Sequence, residues 1–250
     1  MLGTVLNAGR VLDLFTAQTP ERGVTEVAEA LGIPKSRAHA LMSTLAQVGL
    51  LRRTAEGRYR LGWRVLALGR ILTETTEFRA EARLAMEELS GRFGETVHLA
   101  TLDDGVVVYV DKIEGTRAVR IAVSAVGSML PAHCSGVGKA LLAQRPWEEV
   151  EEIVERRGLE RFTARTITSR ERLARELAEI RRRGFSLDLE EVLPEVCCVA
   201  APIFDHRSRA VAAISVTAPA YRFAANAKAY QAAVLDLARR VSTRLDYPGA

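Results

Sequence analysis

The chain has 250 residues, of which 48% are hydrophobic and 26% charged, and its formal net charge is +4. That length is enough for one large domain or two small ones, and the mild basicity permits nucleic acid as a partner without requiring it. No apolar run reaches the roughly 18 residues of a membrane helix, no signal peptide is recognisable, and three cysteines give no disulfide framework. We therefore expect a cytoplasmic protein with no membrane partner.

The first part of the chain predicts three helices followed by a two-stranded hairpin. Apolar residues recur at helical spacing in TVLNAGRVLDLFTA. A second helix follows in VTEVAEALG, where Thr25 can act as the N-cap and Gly32 can end the helix in the left-handed conformation. Pro34 suits the first turn of a third helix, which runs to about Val48. The segment GLLRRTAEGRYRLG then predicts a short hairpin with arginines at its rim.

This order of elements is typical of a winged helix-turn-helix, a DNA-binding domain that we expect over residues 1–62. Ala28 and Gly32 supply the small residues that let the second and third helices cross closely. The segment holds eight basic and five acidic residues, so it carries most of the net charge of the chain. The alternative is a small helical domain whose arginines are merely solvated. The side chains expected to contact DNA are short or cationic, and they lie on the third helix (Lys35, Ser36, Arg37, His39, Ala40, Ser43, Thr44) and on the hairpin (Arg52, Arg53, Arg58, Arg60).

Residues 63–77 predict a linker helix between two domains. Val65, Leu68 and Leu72 form an apolar stripe along it. Such a stripe packs against another surface, and two candidates remain open: the same helix of a second copy, or another part of the same chain. The first candidate makes the protein a homodimer.

Residues 78–250 predict a second domain, of the α+β class. A helix that ends at Gly94 is followed by the hairpin TVHLATL–DDG–VVVYVDKI and by a third strand over 116–124. Helices follow in GKALLAQ, in WEEVEEIVERRG and in TSRERLARELAEIRRRGF, where Thr168 and Glu171 form a capping box. The strands VCCVAAPIFD and AVAAISVTAP then precede a final helix over 226–244. Antiparallel strand pairs with helices between them indicate a mainly antiparallel sheet flanked by helices.

The stretch HCSGVGKALL, residues 133–142, raises the question of a phosphate-binding loop. A P-loop requires Gly at position 133 and Ser or Thr at position 140, where this chain has His133 and Ala140. Nucleotide binding is therefore not expected. The small residues still bring backbone N–H groups to the start of a helix, which attracts anions. A small carboxylate is the ligand that this turn favours.

Other chemistries have little support in the sequence. Cys134 and His133 are adjacent, which rarely places a thiol and a base correctly, and no third orienting group is evident. The four histidines lack paired metal-ligand spacing, and Asp188 has no second carboxylate at a readable spacing. We therefore expect no catalytic residue, no metal and no cofactor, and hence no enzyme. The competing hypothesis is a small-molecule sensor or an enzyme whose winged helix mediates protein contacts only.

Four stretches carry a resemblance to a known family: GSMLPAHCSGVGKALLA, ETVHLATLDDGVVVYVDKIEG, RRGFSLDLEE, and CCVAAPIFD with AAISVTAP. Together with the winged helix, they make the chain resemble the IclR family of bacterial transcription regulators over essentially its full length. The resemblance implies a C-terminal GAF-like domain that binds a small effector, and a dimer or dimer of dimers that acts on operator DNA. It also implies control of a catabolic operon in response to a small organic acid, with repression favoured over activation.

The resemblance further implies where the effector binds. Backbone amides of the Gly-rich turn would hold a carboxylate, Leu130 would form an apolar wall, and polar residues of the last strands would complete the pocket. Spacing supports part of this set, because Ser215 and Thr217 are two apart on a strand and so face the same side. Ala132 and Cys134 depart from the family pattern, which bears on the shape of the effector. The implied effector-binding residues are Leu130, Ser135, Gly136, Val137, Asp188, Cys198, Ser215 and Thr217.

Overall fold

The computed structural model describes residues 2–117 and 124–249 and divides the chain into two compact units, one up to Thr75 and the other from Thr76. The third strand expected over 116–124 lies outside the described residues except at its ends. The first unit has one hydrophobic core and the second has two, which lie on opposite faces of a sheet.

The described residues of the N-terminal unit form six elements in the predicted order. Three helices and a hairpin are followed by a fourth helix, so the winged helix-turn-helix is confirmed as the local fold. Its core consists of one face of each of the first three helices, together with Leu51 and Tyr59 from the hairpin. The elements are α1 (Gly3–Asp13), α2 (Val24–Leu31), α3 (Lys35–Gln47), β1 (Leu51–Arg53), β2 (Tyr59–Leu61) and α4 (Trp63–Glu74).

Helix α2 begins differently from the prediction, because its N-cap is Gly23 and not Thr25. The backbone N–H of Gly23 donates to Oε2 of Glu26 at 3.2 Å. A carboxylate at the third helical position thus satisfies the free N–H, and no capping side chain is needed. Gly32 ends the helix as predicted, with a φ of 64° in the left-handed region.

The C-terminal unit combines helices with one six-stranded sheet among its described residues. The strands lie in the order β5-β4-β3-β8-β7-β6, and every neighbouring pair is antiparallel. The elements are α5 (Glu77–Phe93), β3 (Thr96–Asp103), β4 (Val106–Ile113), β5 (Met129–Pro131), α6 (Gly136–Leu142), α7 (Trp147–Arg157), α8 (Arg170–Arg183), β6 (Ser186–Leu189), β7 (Val196–Phe204), β8 (Ala210–Pro219) and α9 (Ala220–Arg244).

Both faces of this sheet are covered, because neighbouring residues of a strand point to opposite sides. Val97 and Leu99 of β3 pack with α5 and α9 in one core. Ala100 of β3 and Ala200 of β7 pack with α6 and α8 in the other. The result is a three-layer α+β unit, which confirms the predicted fold class.

Some boundaries differ from the predictions for local reasons. Helix α8 is capped by Ser169 and not by Thr168, because the hydroxyl of Ser169 accepts the backbone N–H of Arg172 at 3.1 Å. Helix α9 begins six residues before the predicted start, directly after Pro219. The edge strands β5 and β6 were not predicted, because three and four residues are too few to show an alternating pattern.

Candidate functional sites

Helix α3 presents most of the predicted DNA-contacting side chains on one open face. Lys35, Ser36, Arg37, His39, Ala40 and Thr44 are exposed. Ser43 is half-buried, and its hydroxyl lies 3.3 Å from the hydroxyl of Tyr59 in the hairpin. Ser43 therefore helps to hold the hairpin against the helix, while the six exposed residues remain free to enter a major groove.

The four hairpin arginines divide into two pairs. Arg58 forms ion pairs with Glu26 at 2.8 Å and with Glu21 at 3.6 Å, and Arg60 pairs with Glu21. Within the described residues, Arg52 and Arg53 form no ion pair, and the Arg52 guanidinium lies 5.4 Å from the ring centroid of Trp63. Arg52 and Arg53 are therefore more available than Arg58 and Arg60 to bind DNA phosphates. Ion pairs as exposed as those of Arg58 and Arg60 are weak and can exchange their partner.

The C-terminal unit encloses a cavity between the sheet and the start of α6. All eight residues implied for the effector line it: Leu130, Ser135, Gly136, Val137, Asp188, Cys198, Ser215 and Thr217. The free volume inside is about 30 Å³. One ordered water needs on the order of 10–15 Å³ by the same measure, so this form of the cavity suits a guest of few non-hydrogen atoms.

The glycines of the turn before α6 are required by close packing. A Cβ at Gly136 would lie 2.5 Å from Sγ of Cys198, and one at Gly138 would lie 2.3 Å from the carbonyl oxygen of Ala132. The hydroxyl of Ser135 accepts the N–H of Gly138 at 3.1 Å and so caps the helix. The stretch that resembles a phosphate loop therefore brings backbone and a thiol together in one wall of the cavity.

Asp188 is the ionisable carboxyl group in this wall. Its side chain is buried, and Oδ1 accepts the backbone N–H of Glu191 at 2.7 Å. Burial raises the pKa of Asp188 to about 7, although that hydrogen bond and the charge of Lys139 act in the opposite direction. Near neutral pH, a large fraction of the molecules thus carries a protonated Asp188. In that form it can donate a hydrogen bond to an anionic ligand instead of repelling it.

The thiols near the cavity are neutral groups. Burial raises the pKa of both Cys134 and Cys198 to about 12. Sγ of Cys134 donates to the carbonyl oxygen of Pro131 at 3.4 Å, whereas Nε2 of His133 lies 3.0 Å from the carbonyl oxygen of Glu160. His133 and Cys134 thus engage separate backbone groups, and they do not form a nucleophile–base pair.

Six other residues of the cavity wall were not predicted from the sequence. His98 and Tyr109 come from the first hairpin of the unit, Val192 and Leu193 come from the segment between β6 and β7, and Val196 is the first residue of β7. Ser124 is the sixth. A usable signal existed for His98, since it is the ionisable residue in the run TVHLATL and faces the side opposite Val97 and Leu99.

Within residues 2–117 and 124–249, no group of three or more His, Cys, Asp or Glu side chains could hold a metal ion. No helix in the same ranges is long and apolar enough to cross a membrane.

Two family models match the chain. The "IclR helix-turn-helix domain" model matches residues 4–55, and the "Bacterial transcriptional regulator IclR C-terminal" model matches residues 71–243. The first range lies within the unit up to Thr75, and the second begins in α4 and covers most of the unit from Thr76.

Individual relatives agree with these matches. The HTH-type transcriptional regulator XynR of Escherichia coli is 38% identical over 218 residues, which cover 87% of this chain and 86% of that protein. The acetate operon repressor of Salmonella typhimurium is 32% identical over 216 residues, which cover 85% and 78%. A crystal structure of an IclR homolog complexed with 4-hydroxybenzoate, from Microbacterium hydrocarbonoxydans, superposes with a TM-score of 0.83 at 27% identity and covers 97% of this chain and 98% of that one. The two relatives matched by sequence are transcriptional regulators, not enzymes.

Proposed function

The chain belongs to the IclR family of bacterial transcriptional regulators, and from that premise we propose that it represses a catabolic operon and responds to a small organic acid. As a member, it is a DNA-binding transcriptional regulator with an effector-binding domain, and not an enzyme. The observation that carries the finer proposal is the small cavity of the C-terminal unit, whose largely apolar lining contains a few hydrogen-bonding groups. The name of the Salmonella relative, an acetate operon repressor, supports repression and a link to an organic acid.

The lining of the cavity supports an acid as the effector. Its polar groups include the hydroxyls of Ser215 and Thr217, a neutral thiol at Cys198, and the backbone at Gly136 and Val137. These groups can donate hydrogen bonds to a carboxylate. The small free volume favours a short acid, and a larger guest requires the cavity to widen. The eight lining residues that the sequence implied are the proposed effector contacts.

The proposed reader of DNA is the N-terminal unit. We assign DNA binding to residues 1–62, the linker to 63–77 and effector binding to 78–250. The exposed residues of α3 would read base edges in the major groove, and the hairpin arginines would contact phosphates. The division of the chain after Thr75 and the range of the helix-turn-helix match support this assignment.

We propose a homodimer, or a dimer of such dimers, as the DNA-binding form. Helix α4 has no buried residue, and its apolar side chains face solvent: Leu68 and Leu72 of the predicted stripe are 48% and 69% exposed, and Trp63 is 73% exposed. An apolar surface of this extent marks an interface, and the same helix of a second copy would cover it. A symmetric dimer places two recognition helices about 34 Å apart, one turn of DNA. An effector that binds one arrangement of the linkers better than another would change this spacing and so control DNA binding.

The proposal is tested by fluorescence anisotropy with DNA from upstream of the gene of this protein. The titration is run at two salt concentrations, with and without a panel of short carboxylic acids. We expect saturable, salt-sensitive binding that one class of acid shifts. Arg37→Ala should abolish the preference for this DNA over random DNA. Arg239→Ala, which removes the same charge from an exposed site on α9, is the matched control.

Two outcomes would count against the proposal. Binding that no acid shifts would reject the organic-acid effector while leaving the regulator in place. Equal affinity for upstream and random DNA, unchanged by Arg37→Ala, would favour the alternative of a sensor or enzyme whose winged helix contacts proteins.

A further inference from the structure

His98 is a buried polar residue in the cavity wall, and only one of its two ring nitrogens has a hydrogen-bond partner among the described residues. The residue is 2% exposed, lies on the central strand β3 and lines the cavity. Nδ1 lies 3.3 Å from Oγ1 of Thr217. Nε2 is buried and, within the described residues, has no hydrogen-bond partner. Buried polar groups are normally satisfied, so an orphan ring nitrogen in a ligand-sized cavity indicates a partner that the ligand supplies.

The orientation of this ring is fixed by its neighbours. The ring of Tyr109 lies 5.1 Å from that of His98, centroid to centroid, at an interplanar angle of 54°. The contact with Thr217 holds the Nδ1 edge, and β3 pairs His98 directly opposite Ser215 of β8. The contacts with Tyr109 and Thr217 therefore fix the position of Nε2.

The imidazole is uncharged over the physiological range. Burial lowers the pKa of His98 to about 3, and the positive charge of Lys112 on the neighbouring strand acts in the same direction. A neutral imidazole offers one N–H and one lone pair, and it supplies no positive charge to neutralise a carboxylate. It is suited to an uncharged polar atom, whereas the hydroxyls and the turn before α6 are suited to the anionic end of an acid.

We propose that Nε2 of His98 is a specificity-determining group that hydrogen-bonds an uncharged oxygen, hydroxyl or carbonyl, on the carbon chain of the acid. This inference rests on the proposed function and deepens it. It divides the cavity into a carboxylate end and a neutral oxygen end. The protein should then distinguish an oxygen-bearing acid from the same acid without that oxygen.

The test is calorimetric titration of the full chain with lactate, pyruvate and propionate, three-carbon acids that differ at one carbon. The unchanged protein should bind lactate or pyruvate about tenfold more tightly than propionate, as expected for one hydrogen bond. His98→Asn keeps a polar atom near Nδ1 only, and His98→Gln keeps one near Nε2. The preference should disappear in His98→Asn and His98→Phe and survive in His98→Gln. Propionate should bind all of them alike, and His206→Asn, a change of an exposed histidine, is the control.

The outcomes separate the two proposals. An equal preference in every variant would overturn the role of His98 and leave the organic-acid effector standing. If none of the three acids binds the unchanged protein, the proposal of a short organic acid as effector fails, and this inference fails with it. Should a variant not fold, nitrogen NMR of the histidine rings of the unchanged protein gives a second measurement. A shift of one buried Nε2 with lactate or pyruvate, but not with propionate, supports the proposal, and no difference overturns it.

Discussion

Lys139 and Glu191 form an ion pair that is almost completely removed from solvent, with side chains 1% and 9% exposed. Lys139 lies on α6, whose first residues line the cavity, and Glu191 follows β6, which carries Asp188. The backbone N–H of Glu191 also holds the carboxyl group of Asp188. The ion pair thus connects two walls of the cavity. Through the backbone N–H of Glu191 it also positions the carboxyl group of Asp188.

Lys139→Met should destabilise the C-terminal unit by about 3–5 kcal/mol, because it leaves the carboxylate of Glu191 buried without its partner. Urea unfolding followed by circular dichroism measures the loss. The double variant Lys139→Met/Glu191→Leu should recover most of it, since both charges are then removed. Arg182→Met breaks the exposed pair with Glu179 and should cost less than about 1 kcal/mol. Equal losses in Lys139→Met and Arg182→Met would contradict this view of the buried pair.

This ion pair illustrates what could and could not be predicted from the sequence. Helix periodicity, Gly32 and the order of elements were sufficient for the winged helix-turn-helix, and the resemblance placed eight residues that do line one cavity. Lys139 gave no local signal, because its partner lies 52 residues away. The pairing of Arg58 with Glu26 and the partnerless nitrogen of His98 are likewise products of tertiary contacts. Spacing along one element does not contain that information.

The stability of the C-terminal unit should fall as the pH rises from about 4 to about 7, because of Asp188. Its pKa is about 7 in the folded state, against about 3.9 for an unfolded Asp. The folded state therefore holds a proton that the unfolded state has already lost. Asp188→Asn removes this dependence, so its stability relative to the parent should improve by about 2–3 kcal/mol between pH 5 and pH 8. Urea denaturation of both proteins at pH 5 and pH 8 measures this change in relative stability. If the difference in free energy of unfolding between Asp188→Asn and the parent is the same at both pH values, the pKa of Asp188 is not raised.

The two pairs of hairpin arginines should differ in their effect on DNA binding. Arg52 and Arg53 lack acidic partners among the described residues, so replacing both with Ala should flatten the salt dependence by about one unit of slope for each phosphate that is no longer neutralised. Arg58→Ala/Arg60→Ala should change the slope less, because in the free protein these arginines neutralise Glu21 and Glu26. Anisotropy titrations over a salt series compare the two double variants. If the two double variants show the same salt dependence, Arg58 and Arg60 exchange Glu21 and Glu26 for DNA phosphates on binding.

Leu68→Glu/Leu72→Glu should convert a dimer into single chains, because it places two charges on the exposed apolar stripe of α4. Light scattering after gel filtration gives the mass directly. Both side chains are exposed in the single chain, so the fold should be unaffected, and circular dichroism tests this. Lys228→Glu, an exposed site on α9, is the control for the added negative charge. An unchanged mass would show that another surface joins the copies.

Gly136→Ala should destabilise the C-terminal unit by about 1–3 kcal/mol and weaken effector binding, because the added Cβ would lie 2.5 Å from Sγ of Cys198. Relief requires either α6 or β7 to move, and both contribute to the cavity wall. Adding Cys198→Ala to the same chain removes the atom that clashes, so most of the lost stability should return. Gly91→Ala in α5 has open space around the new methyl group and should be neutral or slightly stabilising. If thermal unfolding shows the same stability for Gly136→Ala and Gly91→Ala, the cavity wall is less tightly packed than the structure indicates. Glycine is then not required at position 136.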